Sequence, residues 1–270
     1  MKRIPERLVL GFTLALASIF AARLVVPNGL PNLLSLGARE GMVLAAFGKI
    51  ALLGLGAIAS WSASSLFPAK TSVRRAWSSL GFGLASFGVG QSILAVYQIG
   101  SGVSAPFPSP AEIFYLAAYP FLIASLFGFV QACREGGWPL GEPAEDRRRM
   151  FWTAFIAFLA VAPALVPIAR SQDSLLAKAI NLTYPLLDLA LLAPAWLVLR
   201  VALRLLGGQV QRVWIALFVG AFALILGDLA FSYLASFAAP ALDPAVDVLY
   251  ILSYGAFALA PLAQRSIASS

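Results

Sequence analysis

Four ionisable side chains stand inside long apolar stretches of this sequence: Lys49, Asp188, Asp228 and Asp247. A charged group at the middle of a lipid-embedded helix costs about 2.5–3.5 kcal/mol, so each such residue needs a partner or a task. A carboxylate in that setting takes a cation, a proton or a ligand, and two carboxylates in one environment can also serve as general acid and base. Gln91, Tyr115, Tyr119, Tyr184 and Tyr250 add hydrogen-bonding groups at the same predicted depth, with Asn181, Tyr233 and Tyr254 near them. Histidine is absent, which removes imidazole-bound haem, histidine zinc sites and Ser-His triads. A single cysteine, Cys133, allows neither a disulfide framework nor a thiol pair for metal. No metal site and no cofactor are expected.

The elements that must carry these groups follow from composition. Of 270 residues, 60% are hydrophobic and 11% charged, whereas a soluble domain is about 25% charged. Apolar runs of membrane-crossing length recur along the whole chain and predict an all-α bundle of eight spans near 8–26, 41–67, 76–100, 112–133, 150–170, 179–203, 212–236 and 245–263. One integral membrane domain thus covers residues 1–270. Pro27-Asn28-Gly29, Pro68, Gly207-Gly208 and Pro240 fall where spans should stop. The run after Arg7 exceeds the 7–15 residues usual for a signal-peptide core, so it reads as an uncleaved first span.

Charge orients the bundle. With the N-terminus in the cytoplasm, fourteen of the 19 Lys and Arg fall on the cytoplasmic side, among them Lys70, Arg74, Arg75 and Arg147 to Arg149. Only Arg23, Arg39, Arg170 and Lys178 fall outside. That bias places both termini in the cytoplasm. The basic residues lie in short clusters between apolar runs, so the net charge of +7 argues for topology and against nucleic acid.

Counted along the spans, all four buried ionisable groups lie in the outer half of the bilayer, above an inner half of Ala, Leu, Val, Phe and Gly. An ion pair of Lys49 with Asp188 or Asp228 would leave one acid without a cation. The stretch Pro106-Phe107-Pro108-Ser109-Pro110 cannot be helical and predicts a stiff lid over the outer pocket, with Phe107 packed down into the bundle and Glu112 close behind.

Gly90-Gln91, Tyr97, Pro106-Phe107-Pro108-Ser109, Ala111-Glu112, Tyr115-Leu116 and Tyr119-Pro120 carry a resemblance. This stretch resembles the N-terminal membrane module that precedes diguanylate cyclase and phosphodiesterase domains in bacterial, notably actinobacterial, signalling proteins. Tyr184-Pro185 with Asp188, Gly227-Asp228, and Asp247, Tyr250, Tyr254 and Pro261 extend it over about residues 75–263. Leu94 stands where the pattern has tryptophan, and Glu112 where it has aspartate. The resemblance implies a sensory or ligand-binding module in a bacterial cytoplasmic membrane. No cyclase or phosphodiesterase domain follows Pro261. Either a separate cytoplasmic partner receives the signal, or the chain stops short of its effector, or the scaffold has another task.

The expected partners are the lipid bilayer, a small-molecule or lipid ligand arriving from the outer side, and a cytoplasmic signalling protein. The alternatives are a lipid-modifying enzyme of the lysoplasmalogenase-like hydrolase kind, using the intramembrane aspartates, and an accessory subunit of a membrane complex or transporter. Transport predicts broken helices, for which Pro163, Pro167, Pro185 and Pro194 are candidates, and repeated halves, of which none is apparent.

Overall fold

The computed structural model describes residues 5–25, 38–101, 106–138, 142–170, 172, 174–205, 207–237 and 243–268. Among them are eight α-helices and no strand: α1 (Glu6–Val25), α2 (Ala38–Ser64), α3 (Ser72–Ala95), α4 (Ala111–Glu135), α5 (Pro143–Arg170), α6 (Leu175–Arg204), α7 (Gln211–Phe237) and α8 (Asp243–Ile267). A π-helical turn, Val96–Ser101, prolongs α3. Six of these, α2, α3, α4, α6, α7 and α8, are long and apolar enough to cross a membrane.

The helix ends follow local chemistry. The Thr71 hydroxyl accepts from the Arg74 amide and caps α3, and the Ser174 hydroxyl accepts from the Ala177 amide and caps α6. Gly137 and Gly207 take positive φ just beyond α4 and α6, where a side chain would be strained. The expected breaks at Pro185 and Pro194 do not occur, since α6 runs on through both. A proline frees one carbonyl, and neighbouring helices in a bundle can serve it. The helical trace of α5 likewise continues over Pro163 and Pro167, whose side chains lie outside the described set.

The six apolar helices close a ring. Going round it, α2 packs on α3, α3 on α4, α4 on α6, α6 on α7, α7 on α8, and α8 back on α2. Helix α1 lies outside the ring against α8, and α5 lies outside it against α6 and α7. Small residues permit the closest crossings. A Cβ on Gly56 would stand 3.3 Å from the Ala258 backbone, and one on Gly220 would stand 2.7 Å from the Phe257 ring. The outward faces carry large apolar side chains such as Ile113 and Leu175, at 69% and 85% exposure, which suits hydrocarbon and not water.

The ring also repeats itself, contrary to the expectation from the sequence. Glu112, Tyr115 and Tyr119 on α4 recur as Asp247, Tyr250 and Tyr254 on α8. Gly83 and Gly90-Gln91 on α3 recur as Gly220 and Gly227-Asp228 on α7. Lys49-Ile50-Ala51-Leu52-Leu53 on α2 recurs as Asp188-Leu189-Ala190-Leu191-Leu192 on α6. The contacts repeat as well. A Cβ on Gly90 would press on the Tyr115 ring at 2.7 Å and one on Gly227 on the Tyr250 ring at 3.0 Å, while Gly83 faces Leu122 as Gly220 faces Phe257. Exchanging α2–α3–α4 for α6–α7–α8 preserves the order round the ring.

Candidate functional site

Each ring helix turns a polar residue toward one partly buried cluster. The spacing is helical: Glu112, Tyr115 and Tyr119 lie three and four apart on one face of α4, as do Asp247, Tyr250 and Tyr254 on α8, and Tyr184 and Asp188 lie four apart on α6. Tyr119, Gln91, Asp188 and Tyr254 are buried. Phe87 of α3 fills the middle, its ring 6.0 Å from Tyr115, 5.9 Å from Tyr119 and 6.0 Å from Tyr254.

The two repeats use one bond in two chemical versions. Tyr115 donates its phenol to the Gln91 amide oxygen at 3.3 Å, and Tyr250 donates its own to Asp228 Oδ1 at 2.5 Å. Other contacts join the repeats. Tyr119 bonds both to Asp188 Oδ1, at 2.8 Å, and to Asp228 Oδ2. Tyr184 donates to Glu112 Oε2 at 2.5 Å. Lys49 Nζ donates to Asp247 Oδ1 at 2.9 Å and stands 5.9 Å from the centre of the Tyr250 ring.

The Lys49 partner is therefore Asp247, and neither Asp188 nor Asp228 as expected from depth alone. Helix α2 packs on α3 and α8, whereas Asp188 and Asp228 stand on α6 and α7 elsewhere in the ring, so its lysine reaches the acid on the neighbour it packs against. Among the described residues no Lys or Arg bonds to Asp188 or Asp228. Asp188 Oδ2 and Gln91 Nε2 are buried without any partner. An orphan of that kind costs about 1–3 kcal/mol.

The proline loop departs from expectation in one respect. Ser109 is the residue that turns inward, buried, with its Oγ accepting from the Ala111 amide at 3.2 Å. Phe107 is 46% exposed and does not pack into the bundle, because the chain bends at Phe107 and Pro108 before Ser109 turns inward. Ser104 and Ala105, and the side chain of Tyr233, lie outside the described residues. Glu112 belongs to the acid and tyrosine cluster through Tyr184.

A second polar centre, absent from the sequence-based expectation, sits at the opposite end of the ring. Asp146, in the first turn of α5, is 2% exposed. It accepts from Arg134 Nη2 of α4 at 3.0 Å and from Arg200 Nη1 of α6. The signal available was one acid, Asp146, set among Arg147, Arg148 and Arg149. A lone acid in a basic segment is a candidate for pairing with a basic residue of a neighbouring helix end. A shallow cleft beside it is lined by Val130, Leu197, Val201 and Arg204.

Asp188 and Asp228 lie among phenols with no basic partner among the described residues, which suits this part of the cluster to binding protons or cations and to hydrogen-bonding a polar ligand. Among the described residues no three acids or thiols stand together as metal ligands. No family model, curated protein or solved structure matches the chain.

Proposed function

We propose that this chain is a sensory or ligand-binding module of a bacterial cytoplasmic membrane. In this reading it crosses the membrane eight times with both termini in the cytoplasm, α1 and α5 adding to the six apolar helices of the ring. Its acid and tyrosine cluster, in the outer half, receives a signal from the outer side or outer leaflet and passes it to a cytoplasmic partner. One observation carries the reading. Six helices from two repeated halves converge on a partly buried polar cluster in which Asp188 and Asp228 have no basic partner among the described residues. Hydrogen bonds between membrane helices contribute only about 0.6 kcal/mol on average. Folding alone gives little reason to keep so expensive a set in place of leucines.

Purified protein in discs of native lipid tests this. A membrane lipid extract is expected to raise the melting temperature of the wild type and to leave Asp188→Asn and Asp228→Asn unmoved, while both variants still insert. If both variants respond as the wild type does, the site is not where the ligand binds.

The repeat favours one second reading. Paired halves with polar groups at their interface are also the plan of many transporters. Solute flux into vesicles that both variants abolish would put transport in place of sensing.

A further inference from the structure

The arrangement around Tyr119 limits how many protons the cluster holds. A phenol has one hydrogen, and the Tyr119 oxygen bonds to two carboxyl groups, Asp188 Oδ1 at 2.8 Å and Asp228 Oδ2. One contact takes the phenol hydrogen, and the other needs a hydrogen from the acid. Two charged carboxylates would therefore leave one contact without a proton, in a setting where no described Lys or Arg bonds to either acid.

Hydrogen-bond supply decides which acid is neutral. Asp228 has two phenol donors in reach, Tyr250 on Oδ1 and Tyr119 on Oδ2. Asp188 has one phenol in reach, Tyr119, lies against the Asp228 carboxyl, and has no donor on its buried Oδ2. A charged carboxylate keeps the donors, whereas the carbonyl oxygen of a neutral acid tolerates an empty lone pair at lower cost. We propose that Asp188, Tyr119 and Asp228 form a one-proton site, in which Asp188 carries the proton on Oδ1 and donates it to the Tyr119 oxygen, which donates its own hydrogen to ionised Asp228. This rests on the proposed sensory reading and names the bound species as a proton taken up from water, one Asp188 carboxylate becoming one carboxylic acid.

The repeat shows what is special about this half. The positions equivalent to Asp188 and Asp228 hold Lys49 and Gln91, a permanent cation and a neutral amide. Only the second half places two acids against one phenol. Because Tyr119 comes from α4, the shared proton also ties the first half to α6 and α7 of the second. The other ionisable groups of the cluster are Lys49 on α2, Glu112 and Tyr115 on α4, Tyr184 on α6, and Asp247, Tyr250 and Tyr254 on α8. Helix α3 contributes the neutral Gln91. Lys49 is engaged by Asp247, and Glu112 has the Tyr184 phenol. When the proton leaves, two like charges face one phenol and the junction between halves loosens, so stability falls as pH rises.

Infrared difference spectra of the full chain in native-lipid discs, taken between neutral and alkaline buffer, read this site directly. The wild type is expected to show a carboxylic acid carbonyl band at neutral pH that disappears in alkali. Asp188→Asn should remove that band, Asp228→Asn should shift its frequency by replacing the ionised neighbour, and Asp247→Asn should keep it. The melting temperature of Asp188→Asn should lose its dependence on pH, because an amide supplies the missing hydrogen permanently. No band in the wild type, or a band that survives Asp188→Asn, overturns the proposal. So does stabilisation by sodium over choline buffer that Asp188→Asn abolishes, which would make a metal cation the occupant. If the band is absent yet lipid extract still stabilises the wild type, the proton site fails and the sensory reading stands. If the band behaves as expected while no extract has any effect, the proton site stands and the ligand reading falls.

Discussion

Replacing Asp146 by alanine should release α5 from the ring. The Asp146 carboxylate is 3% exposed and lies between two guanidiniums, that of Arg200 at 14% exposure and that of Arg134 at 35%. Removing one partner of a buried pair costs about 3–5 kcal/mol, because the charge left behind stays desolvated. The Arg134 contact is partly hydrated and adds at most about 1 kcal/mol. Arg200, being more enclosed, carries most of the loss, and partial solvation keeps the total near 3 kcal/mol. Of the large apolar side chains at this end of α5, Met150 packs against the core, while Phe151, Trp152 and Phe155 face outward at 61%, 53% and 42% exposure. The assay is equilibrium unfolding in mixed micelles, followed by circular dichroism, with Glu145→Ala as the neighbouring control. Glu145 pairs with Arg149 four residues on, both exposed, so its loss should cost about 0.3–0.5 kcal/mol. If Asp146→Ala costs no more than Glu145→Ala, the buried triad does not fasten α5 and the reasoning fails.

Three further outcomes follow from contacts already described. Tyr250→Phe removes a donor from a carboxylate and should cost about 1.5–3 kcal/mol, whereas Tyr115→Phe removes one from a neutral amide and should cost about 0.5–1.5 kcal/mol; equal losses in thermal unfolding would mean that Asp228 is not charged. Gly220→Ala drives a Cβ into the rigid Phe257 ring and should destabilise by about 1–3 kcal/mol, while Gly83→Ala meets the movable end of Leu122 at 3.0 Å and should cost less; the reverse order in melting temperature would contradict the packing of α7 on α8. With the proposed orientation, Phe107→Cys in a Cys133→Ala background should react with an impermeant maleimide on intact cells and Lys70→Cys only after lysis, and the opposite pattern would invert the bundle.

What the sequence makes plain is length and height, and what it conceals is rotation about each helix axis. The expected span 112–133 became α4 (Ala111–Glu135) and the expected 212–236 became α7 (Gln211–Phe237), because breakers and caps sit at helix ends and act locally. Of the four groups singled out by depth, Lys49 meets Asp247, while Asp188 and Asp228 meet the Tyr119 phenol. Depth counting failed on which pairs meet, since a lysine at the right height chooses the acid on whichever helix packs beside it, and Lys49 chose Asp247 on α8. That neighbour relation is decided by small residues such as Gly56 against Ala258, whose effect depends on the ring being closed. The repeat was hidden for a related reason. Its most conspicuous positions carry opposite or unlike chemistry, Lys49 against Asp188 and Gln91 against Asp228, while the shared parts are ordinary leucines, glycines and tyrosines. Asp146 escaped because counting arginines for topology treats a basic loop as a sign of sidedness, and the same arginines can also hold a buried carboxylate. Divergence between halves is therefore where function should be sought: a symmetric ring would bond Tyr119 and Tyr254 alike, and the bonds of Tyr119 to two acids mark the half that has been given a proton to hold.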